Sequence, residues 1–238
     1  MCVTKIVLAM NVEGERGAID LLSRIGSKVD VYKIGIDLFT RTGPELVREF
    51  VRRGVDVFLD LKYSDIPSVV GKAVEAASEL NVAMLTVHTM GGPKMLLQAA
   101  TAANKAKGKR PLILGVTVLT SLDQAALEKI SGSKEAVADR VRSLAAMAKE
   151  SGCDGVVASP HETGIVKEVC GRGFTVVTPG IRLGQSKGAD DQARTLTPAE
   201  AAKAGADYIV VGRPIYEAPD PNAAIAEIRA QLMHVVGG

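Results

Sequence analysis

The chain has 238 residues, and its 29 Lys and Arg nearly balance its 27 Asp and Glu, giving a formal net charge of +2. This balance, with only four Phe, four Tyr and no Trp, argues against a nucleic-acid binder, which needs basic excess and stacking platforms. No apolar run approaches the roughly 18 residues that cross a bilayer. The apolar segment after Lys5 is too short for a signal-peptide core. We therefore predict a cytoplasmic protein that binds neither nucleic acid nor membrane.

Short apolar runs rich in Val, Ile and Leu recur along the chain, and each predicts a buried parallel strand. In chain order the predicted strands cover residues 5–10, 29–36, 55–62, 82–89, 112–119, 155–159, 175–178 and 208–212. Segments of helical period lie between them, most clearly at 44–53, 68–80, 95–105, 134–150 and 198–204.

This alternation of strand and helix, eight times without a composition break, predicts an α/β fold. We expect a (β/α)8 TIM barrel that forms a single domain over residues 1–238. A doubly wound open sheet is the alternative, because strand count does not prove closure. No GxGxxG motif follows the first strand, which counts against that alternative. The connections 120–133 and 179–196 are long enough to be binding loops, and the polar stretch 184–190 predicts a segment that is mobile until ligand binds.

Charged residues gather where the predicted strands end. Asp60 and Lys62 are two residues apart on one strand, so their side chains should share the face that points into the barrel. Lys33 lies on the preceding strand and Asp65 follows the same strand end, which gives a line of alternating charges. A salt-bridge network that only closes the barrel top is the alternative. We disfavour it because buried ion pairs stabilise a fold less well than apolar packing.

A second candidate site follows strand 8, at Gly212, Arg213 and Pro214. Glycine lets a ligand approach the backbone closely, and proline suits a helix start whose free N–H groups attract anions. Arg213, with Arg182 after strand 7, offers guanidinium groups to a phosphate, which barrels of this kind bind after strands 7 and 8. The alternative is a simple turn with Arg213 in solvent.

These motifs resemble those of bacterial orotidine 5′-monophosphate decarboxylases, over almost the whole chain. The matching segments are 32–35 (YKIG), 60–67 (DLKYSDIP), 87–88 (VH), 116–120 (VTVLT), 178–182 (TPGIR) and 211–215 (VGRPI). The D-x-K-x-x-D element alone also occurs in phosphosugar aldolases and decarboxylases of the same superfamily, which usually need Mg²⁺. Those enzymes resemble this chain less at Lys33 and remain the nearest rival.

The resemblance implies loss of CO2 from orotidine 5′-monophosphate to give UMP in de novo pyrimidine biosynthesis, with no metal and no organic cofactor. It implies that Asp60 lies beside the substrate carboxylate and that Lys62 stabilises charge at C6 and then protonates it. Lys33 would keep Asp60 ionised and contact the ribose. Asp65 and Ile66 would come from the partner subunit of a homodimer, Asp65 to a ribose hydroxyl and Ile66 to the pocket wall.

The resemblance also assigns substrate contacts. Thr120 would hydrogen-bond the pyrimidine and Pro179 would pack against it. The phosphate would be held by four groups, namely Arg182, Gln192, Arg213 and the backbone N–H of Gly212.

Two positions depart from the family pattern. Asn11 stands where the family usually has Asp, so an acceptor oxygen remains but the charge is lost. We expect weaker binding or turnover, and a nucleotide-binding protein with little catalysis is the rival of a different class. Val69 stands where Thr is frequent, which indicates either a lost contact across the dimer or plain helix packing. His88 is either an acid–base group or, as we favour, a structural hydrogen-bonding residue.

Overall fold

Eight parallel strands close into a barrel in chain order, because each strand pairs with the next and β8 pairs with β1. The computed structural model describes residues 4–183 and 195–233. The strands are β1 Lys5–Ala9, β2 Val31–Gly35, β3 Val57–Tyr63, β4 Met84–His88, β5 Leu112–Val116, β6 Gly155–Val157, β7 Thr175–Thr178 and β8 Tyr208–Val211. The predicted (β/α)8 barrel is confirmed, and the closed ring excludes the open sheet.

Helices follow the strands and form the outer layer. They are α1 Gly14–Ile25, α2 Ile36–Arg52, α3 Pro67–Ser78, α4 Pro93–Ala103, α5 Gln124–Ser131, α6 Val137–Glu150, α7 Thr163–Cys170, α8 Pro198–Lys203, α9 Arg213–Tyr216 and α10 Pro221–Met233. Single turns of 3-10 helix occupy Gly26–Lys28, Thr89–Gly91 and Pro160–Glu162. Among the residues described, no helix is both long and apolar enough to span a membrane.

Two helices depart from the sequence prediction. Helix α2 begins eight residues before the predicted start at Pro44, and it bends at Gly43, where φ is +65°. Helix α5 lies inside the connection that we predicted to be a loop. Its ends follow ordinary capping chemistry, since the Asp123 carboxylate accepts the Ala126 N–H and Gly132 takes the left-handed conformation.

The core has two layers. One cluster fills the barrel interior with one or two side chains from most strands, among them Val7, Val31, Phe58, Leu114 and Val210. The larger cluster lies between the strands and the helices. The interior is therefore packed rather than open, and a site can form only above this apolar filling.

The alternation of side chains along a strand carries polar groups to that level. Lys33 is two residues beyond the interior Val31, and Asp60 is two residues beyond the interior Phe58. Both side chains therefore point inward at the carboxyl-terminal end of the barrel.

The opposite end is fastened by carboxylates. Asp30, Asp154 and Asp207 each stand immediately before an even-numbered strand. Each exchanges two hydrogen bonds with the second residue of the preceding strand: its backbone N–H donates to that residue's carbonyl, and its carboxylate accepts that residue's N–H. The carboxylate distances are 2.8 Å from Ile6 to Asp30, 2.8 Å from Ile113 to Asp154 and 2.7 Å from Val176 to Asp207. We call these three arrangements the aspartate clamps.

Candidate active site

A cavity of about 490 Å³ opens at the carboxyl-terminal end of the strands. Most of the predicted site residues line it, namely Asn11, Lys33, Asp60, Lys62, Thr120, Pro179, Arg182, Gly212 and Arg213. Asp65 and Ile66 do not line it. Gln192 and the predicted mobile stretch 184–190 lie outside the described residues. One cavity thus brings together the two candidate sites that the sequence indicated after different strands.

Asp60 is the centre of the charged group. Its side chain is buried, and its carboxylate lies 3.2 Å from the Lys33 ammonium and 2.9 Å from the Lys62 ammonium. The Thr86 hydroxyl donates to the same carboxylate over 2.9 Å. Burial alone would raise the pKa of Asp60. The two lysines and these hydrogen bonds outweigh burial and hold the pKa below its ordinary value of 3.8, so Asp60 is an anion at neutral pH.

Lys62 has an unusual backbone for a strand residue. Its φ is +51°, a left-handed conformation that costs a residue with a Cβ about 1–3 kcal/mol. Leu59 pairs with Leu85 and Tyr63 pairs with Val87, so four steps along β3 match two along β4. Simple alternation led us to place Asp60 and Lys62 on one face. They do share the cavity, but through a bulge rather than through regular pleating.

His88 ends β4 beside this group. Burial, and then the charge of Lys62, lower the pKa of His88 below its ordinary value of 6.5. Its Nδ1 atom accepts a long hydrogen bond of 3.4 Å from the Met90 N–H at the start of a 3-10 turn. These contacts favour a neutral, structural imidazole.

Two arginines lie on the far side of the cavity. Burial, and then the charge of Arg213, lower the pKa of Arg182, so the two guanidinium groups act on each other electrostatically. The backbone of Arg182 is held by a bridge between Ile181 and Leu196, in which the Arg182 N–H donates to the Leu196 carbonyl over 3.0 Å. Two cations held near each other are typical of an anion site.

Asn11 lies at the edge of the cavity, one layer above the interior Ala9. Tyr216, one helical turn after Arg213, also lines the cavity. Burial raises the pKa of Tyr216, and the Asn11 side chain is near enough to lower that pKa against the larger rise from burial.

The charges around the cavity do not balance. Within the described part of the chain, its lining holds four cations (Lys33, Lys62, Arg182 and Arg213) against the single anion Asp60, a net charge of +3. This excess of cations on the described lining favours an anionic ligand.

Asp65 and Ile66 lie outside the cavity, on the surface. The Asp65 carboxylate accepts the Ile66 N–H over 2.6 Å, and the Ile66 side chain is 62% exposed. Further exposed apolar side chains occur at the beginnings of the helices that follow β2, β3 and β4, namely Ile36, Val69, Met90 and Leu97. Such a patch is typical of a protein–protein interface.

No group of three or more His, Cys, Asp or Glu side chains positioned to hold a metal ion occurs within residues 4–183 and 195–233. Half of the eight polar side chains on the described lining of the cavity are ammonium or guanidinium groups, which bind anions.

A model of the orotidine 5′-phosphate decarboxylase/HUMPS family matches residues 4–228. The chain belongs to this family. An orotidine 5′-phosphate decarboxylase of Legionella pneumophila (strain Corby) is 43% identical over 229 residues, covering 96% of this chain and 99% of its own. One from Syntrophotalea carbinolica is 45% identical over 232 residues, covering 96% and 94%.

A solved structure supports the assignment of this chain to the family. The crystal structure of an orotidine 5′-phosphate decarboxylase from Lactobacillus acidophilus superposes with a TM-score of 0.85 at 35% identity. The match covers 96% of this chain and 99% of that one. The family resemblance that the sequence motifs indicated is therefore confirmed.

Sequence reasoning missed two residues of the site. Thr86 is a polar residue in the middle of the apolar run MLTVH, and that position is the signal that could have indicated it. Tyr216 follows Arg213 by three residues, a spacing that puts both on one side of a short helix.

Proposed function

We propose that this protein decarboxylates orotidine 5′-monophosphate to UMP and CO2, a step of pyrimidine biosynthesis. The observation that carries the proposal is the net charge of +3 on the described lining of the cavity. Near pH 7 a phosphate ester carries about −1.5 to −2, and the carboxylate at C6 adds one more negative charge. The substrate is thus strongly anionic, as a cation-rich cavity favours. Its carboxylate can face the lysines and its phosphate can face the arginines.

The chemistry follows from the Lys33–Asp60–Lys62 group. Asp60, kept ionised by its two lysines, would lie beside the substrate carboxylate. Repulsion between the two negative charges would destabilise the bound substrate in its ground state. The C6–carboxyl bond breaks, CO2 leaves, and the electron pair remains on C6. The Lys62 ammonium would stabilise this carbanion and then transfer a proton to C6, after which solvent recharges the amine.

Substrate binding is assigned to the rest of the cavity. We propose that Thr120 and Pro179 contact the pyrimidine, and that Arg182, Arg213 and the Gly212 N–H hold the phosphate. Gln192, outside the described residues, is proposed as a further phosphate ligand. Binding energy from the remote phosphate can then lower the barrier at C6.

We further propose a homodimer in which Asp65 and Ile66 complete the site of the partner subunit. The support is that both residues lie outside their own cavity, on a surface with exposed apolar side chains at Val69 and Leu97. In a two-fold symmetric dimer, each subunit would give the same residues to the other.

Mixing two inactive variants tests this sharing. If Asp65 acts across the interface, a heterodimer of Lys62→Met and Asp65→Ala subunits contains one intact site. Random pairing makes half of the dimers mixed, so the mixture should recover about a quarter of wild-type activity. If Asp65 acts within its own subunit, no intact site forms and activity stays at the level of the separate variants.

We also propose one catalytic domain over residues 1–238, located in the cytoplasm. Both core clusters belong to the same barrel, which supports a single domain. Cys153 and Cys170 are buried free thiols, as is usual for proteins of a reducing compartment.

Incubation with orotidine 5′-monophosphate in the presence of a chelator tests the reaction. We expect UMP to form at an undiminished rate, measured by absorbance. A reaction that needs added Mg²⁺, or turnover of phosphosugars instead, would favour the metal-dependent lyases that share the D-x-K-x-x-D element. Tight UMP binding without product formation would favour a nucleotide-binding protein.

A further inference from the structure

A buried threonine on β4 connects two parts of the proposed catalytic group on β3. Thr86 is fully buried and is not among the residues that line the cavity. Its hydroxyl donates to Asp60 over 2.9 Å and accepts the backbone N–H of Lys62, also over 2.9 Å. One hydroxyl therefore contacts the side chain of one proposed catalytic residue and the backbone of the other.

We propose that Thr86 is a positioning residue, which holds the bulge of β3 and thereby fixes Asp60 and Lys62 relative to each other. This inference rests on the proposed decarboxylase function. It adds to that function a residue that touches no substrate but sets the geometry of two groups that do.

The backbone shows why a side chain is needed at this point. Between the pairs Leu59–Leu85 and Tyr63–Val87 the ladder of β3 and β4 loses its register, and there the Lys62 N–H donates to the Thr86 side chain. Lys62 is also held at φ +51°, a conformation that a lysine leaves when nothing retains it. The Thr86 hydroxyl supplies the retaining bond.

The direction of the second hydrogen bond matters as well. The Thr86 hydroxyl has one proton and also accepts hydrogen bonds. Its oxygen accepts the Lys62 N–H, and its proton is donated to the Asp60 carboxylate. This donation favours the ionised carboxylate, together with the charges of Lys33 from β2 and Lys62 from β3. His88, at the end of β4, adds no charge there while it is neutral.

Two substitutions separate the hydroxyl from the shape of the side chain. Thr86→Val keeps the branched shape and removes the hydroxyl, whereas Thr86→Ser keeps the hydroxyl. We expect Thr86→Val to lower kcat roughly 100-fold, since a small misplacement of reacting groups has an effect of that order. KM should stay within about threefold, because the proposed contacts to phosphate and pyrimidine are untouched, and Ser should restore most of kcat.

The acid limb of the kcat–pH profile is a second measurement, and a general loss of stability would not shift it. Without the donated hydrogen bond, the pKa of Asp60 rises, so in Thr86→Val the acid limb should move to higher pH. Thr4→Val is the matched control. It removes a buried threonine hydroxyl that bonds the Ala206 carbonyl at the other end of the barrel, and it should leave kcat and the profile unchanged.

The proposal fails if Thr86→Val keeps wild-type kcat, if Ser and Val lose kcat equally, or if only KM changes. Absence of UMP formation by the wild-type chain would instead refute the proposed function. In that case a crystal structure of Thr86→Val decides on positioning. A shifted Lys62 backbone with a broken Asp60–Lys62 contact supports it, and an unchanged contact of 2.9 Å overturns it.

Discussion

The two ends of the barrel use the same residue type for different purposes. At the amino-terminal end of the strands, Asp30, Asp154 and Asp207 bond backbone N–H groups and pair with a cation each, at 3.3 Å to Arg229, 3.0 Å to Arg110 and 2.7 Å to Lys167. At the carboxyl-terminal end, Asp60 contacts side chains only, those of Lys33, Lys62 and Thr86. The aspartate clamps bond one strand to the next, whereas Asp60 holds two lysine ammonium groups at the edge of the cavity.

The exception among the clamps makes the contrast sharper. Of the four even strands, β4 alone is preceded by a residue without a carboxylate, Ala83. The pair β3–β4 is also the one with a register shift, and that shift places Lys62 in the cavity. Among the four pairs that lead from an odd strand to the next even strand, the one without a clamp at its amino-terminal end thus has a register shift near its carboxyl-terminal end.

Replacing Lys62 should cause the largest loss of activity. Lys62→Met removes the proposed proton donor while keeping much of the side-chain length. We expect kcat/KM for orotidine 5′-monophosphate to fall by about 10³-fold or more, since proton transfer and charge stabilisation are lost together. UMP binding, measured by calorimetry, should persist. Retention of a tenth of the activity would show that Lys62 is not the donor.

Arg213→Ala should have the next largest effect, because it removes a charge-assisted contact to the phosphate. We expect kcat/KM to fall about 10- to 100-fold with an unchanged Tm. Orotidine, which lacks the phosphate, is the control substrate. If the variant and the wild type differ on orotidine as much as on the nucleotide, the phosphate assignment is wrong.

Asn11→Asp should improve the enzyme, in contrast to the other changes. Within the described residues, Asp60 is the one acidic partner within ion-pair distance of Lys33. A second carboxylate at position 11 would bring the charges of the site nearer to the family pattern. We expect kcat/KM to rise up to about tenfold, as one restored charge-assisted contact allows. An unchanged or lower value would show that the Asn11 amide already fulfils the role.

Asp154→Ala at the opposite end should leave activity nearly unchanged and affect only stability. It removes the acceptor of the Ile113 N–H and the partner of Arg110. The free energy of unfolding should fall by about 2 kcal/mol, and Tm by about 4–8 °C, with kcat/KM within twofold of wild type. A large loss of kcat/KM at normal temperature would mean that the two ends are coupled.

All eight strands could be predicted from the sequence, because a run that is apolar on both faces indicates a buried strand whichever strands lie beside it. The predicted ends were a few residues too long where apolar residues continue past the ladder, as at Val118 after β5. Helix α5 was missed because it is short, although its capping residues Asp123 and Gly132 are visible in the sequence.

Site residues could be predicted where their place at a strand end is enough to bring them to the cavity. They could not be predicted where the pairing of two strands decides their conformation or contacts. Lys33, Asp60, Arg182 and Arg213 reach the cavity because strand ends point there. The left-handed backbone of Lys62 and the contacts of Thr86 depend on how β3 meets β4, which one sequence does not reveal. The aspartate clamps were missed for the same reason, since each depends on the neighbouring strand.

The aspartate clamps fasten the strands in pairs. Each joins an odd strand to the next even strand, β1 to β2, β5 to β6 and β7 to β8. A break in the exposed connection between α4 and β5, at Lys107, would leave every clamp complete within one piece. The two halves, β1–β4 and β5–β8, meet along the β4–β5 and β8–β1 ladders. Expressed as separate chains, these halves are expected to recognise one another and rebuild the ring.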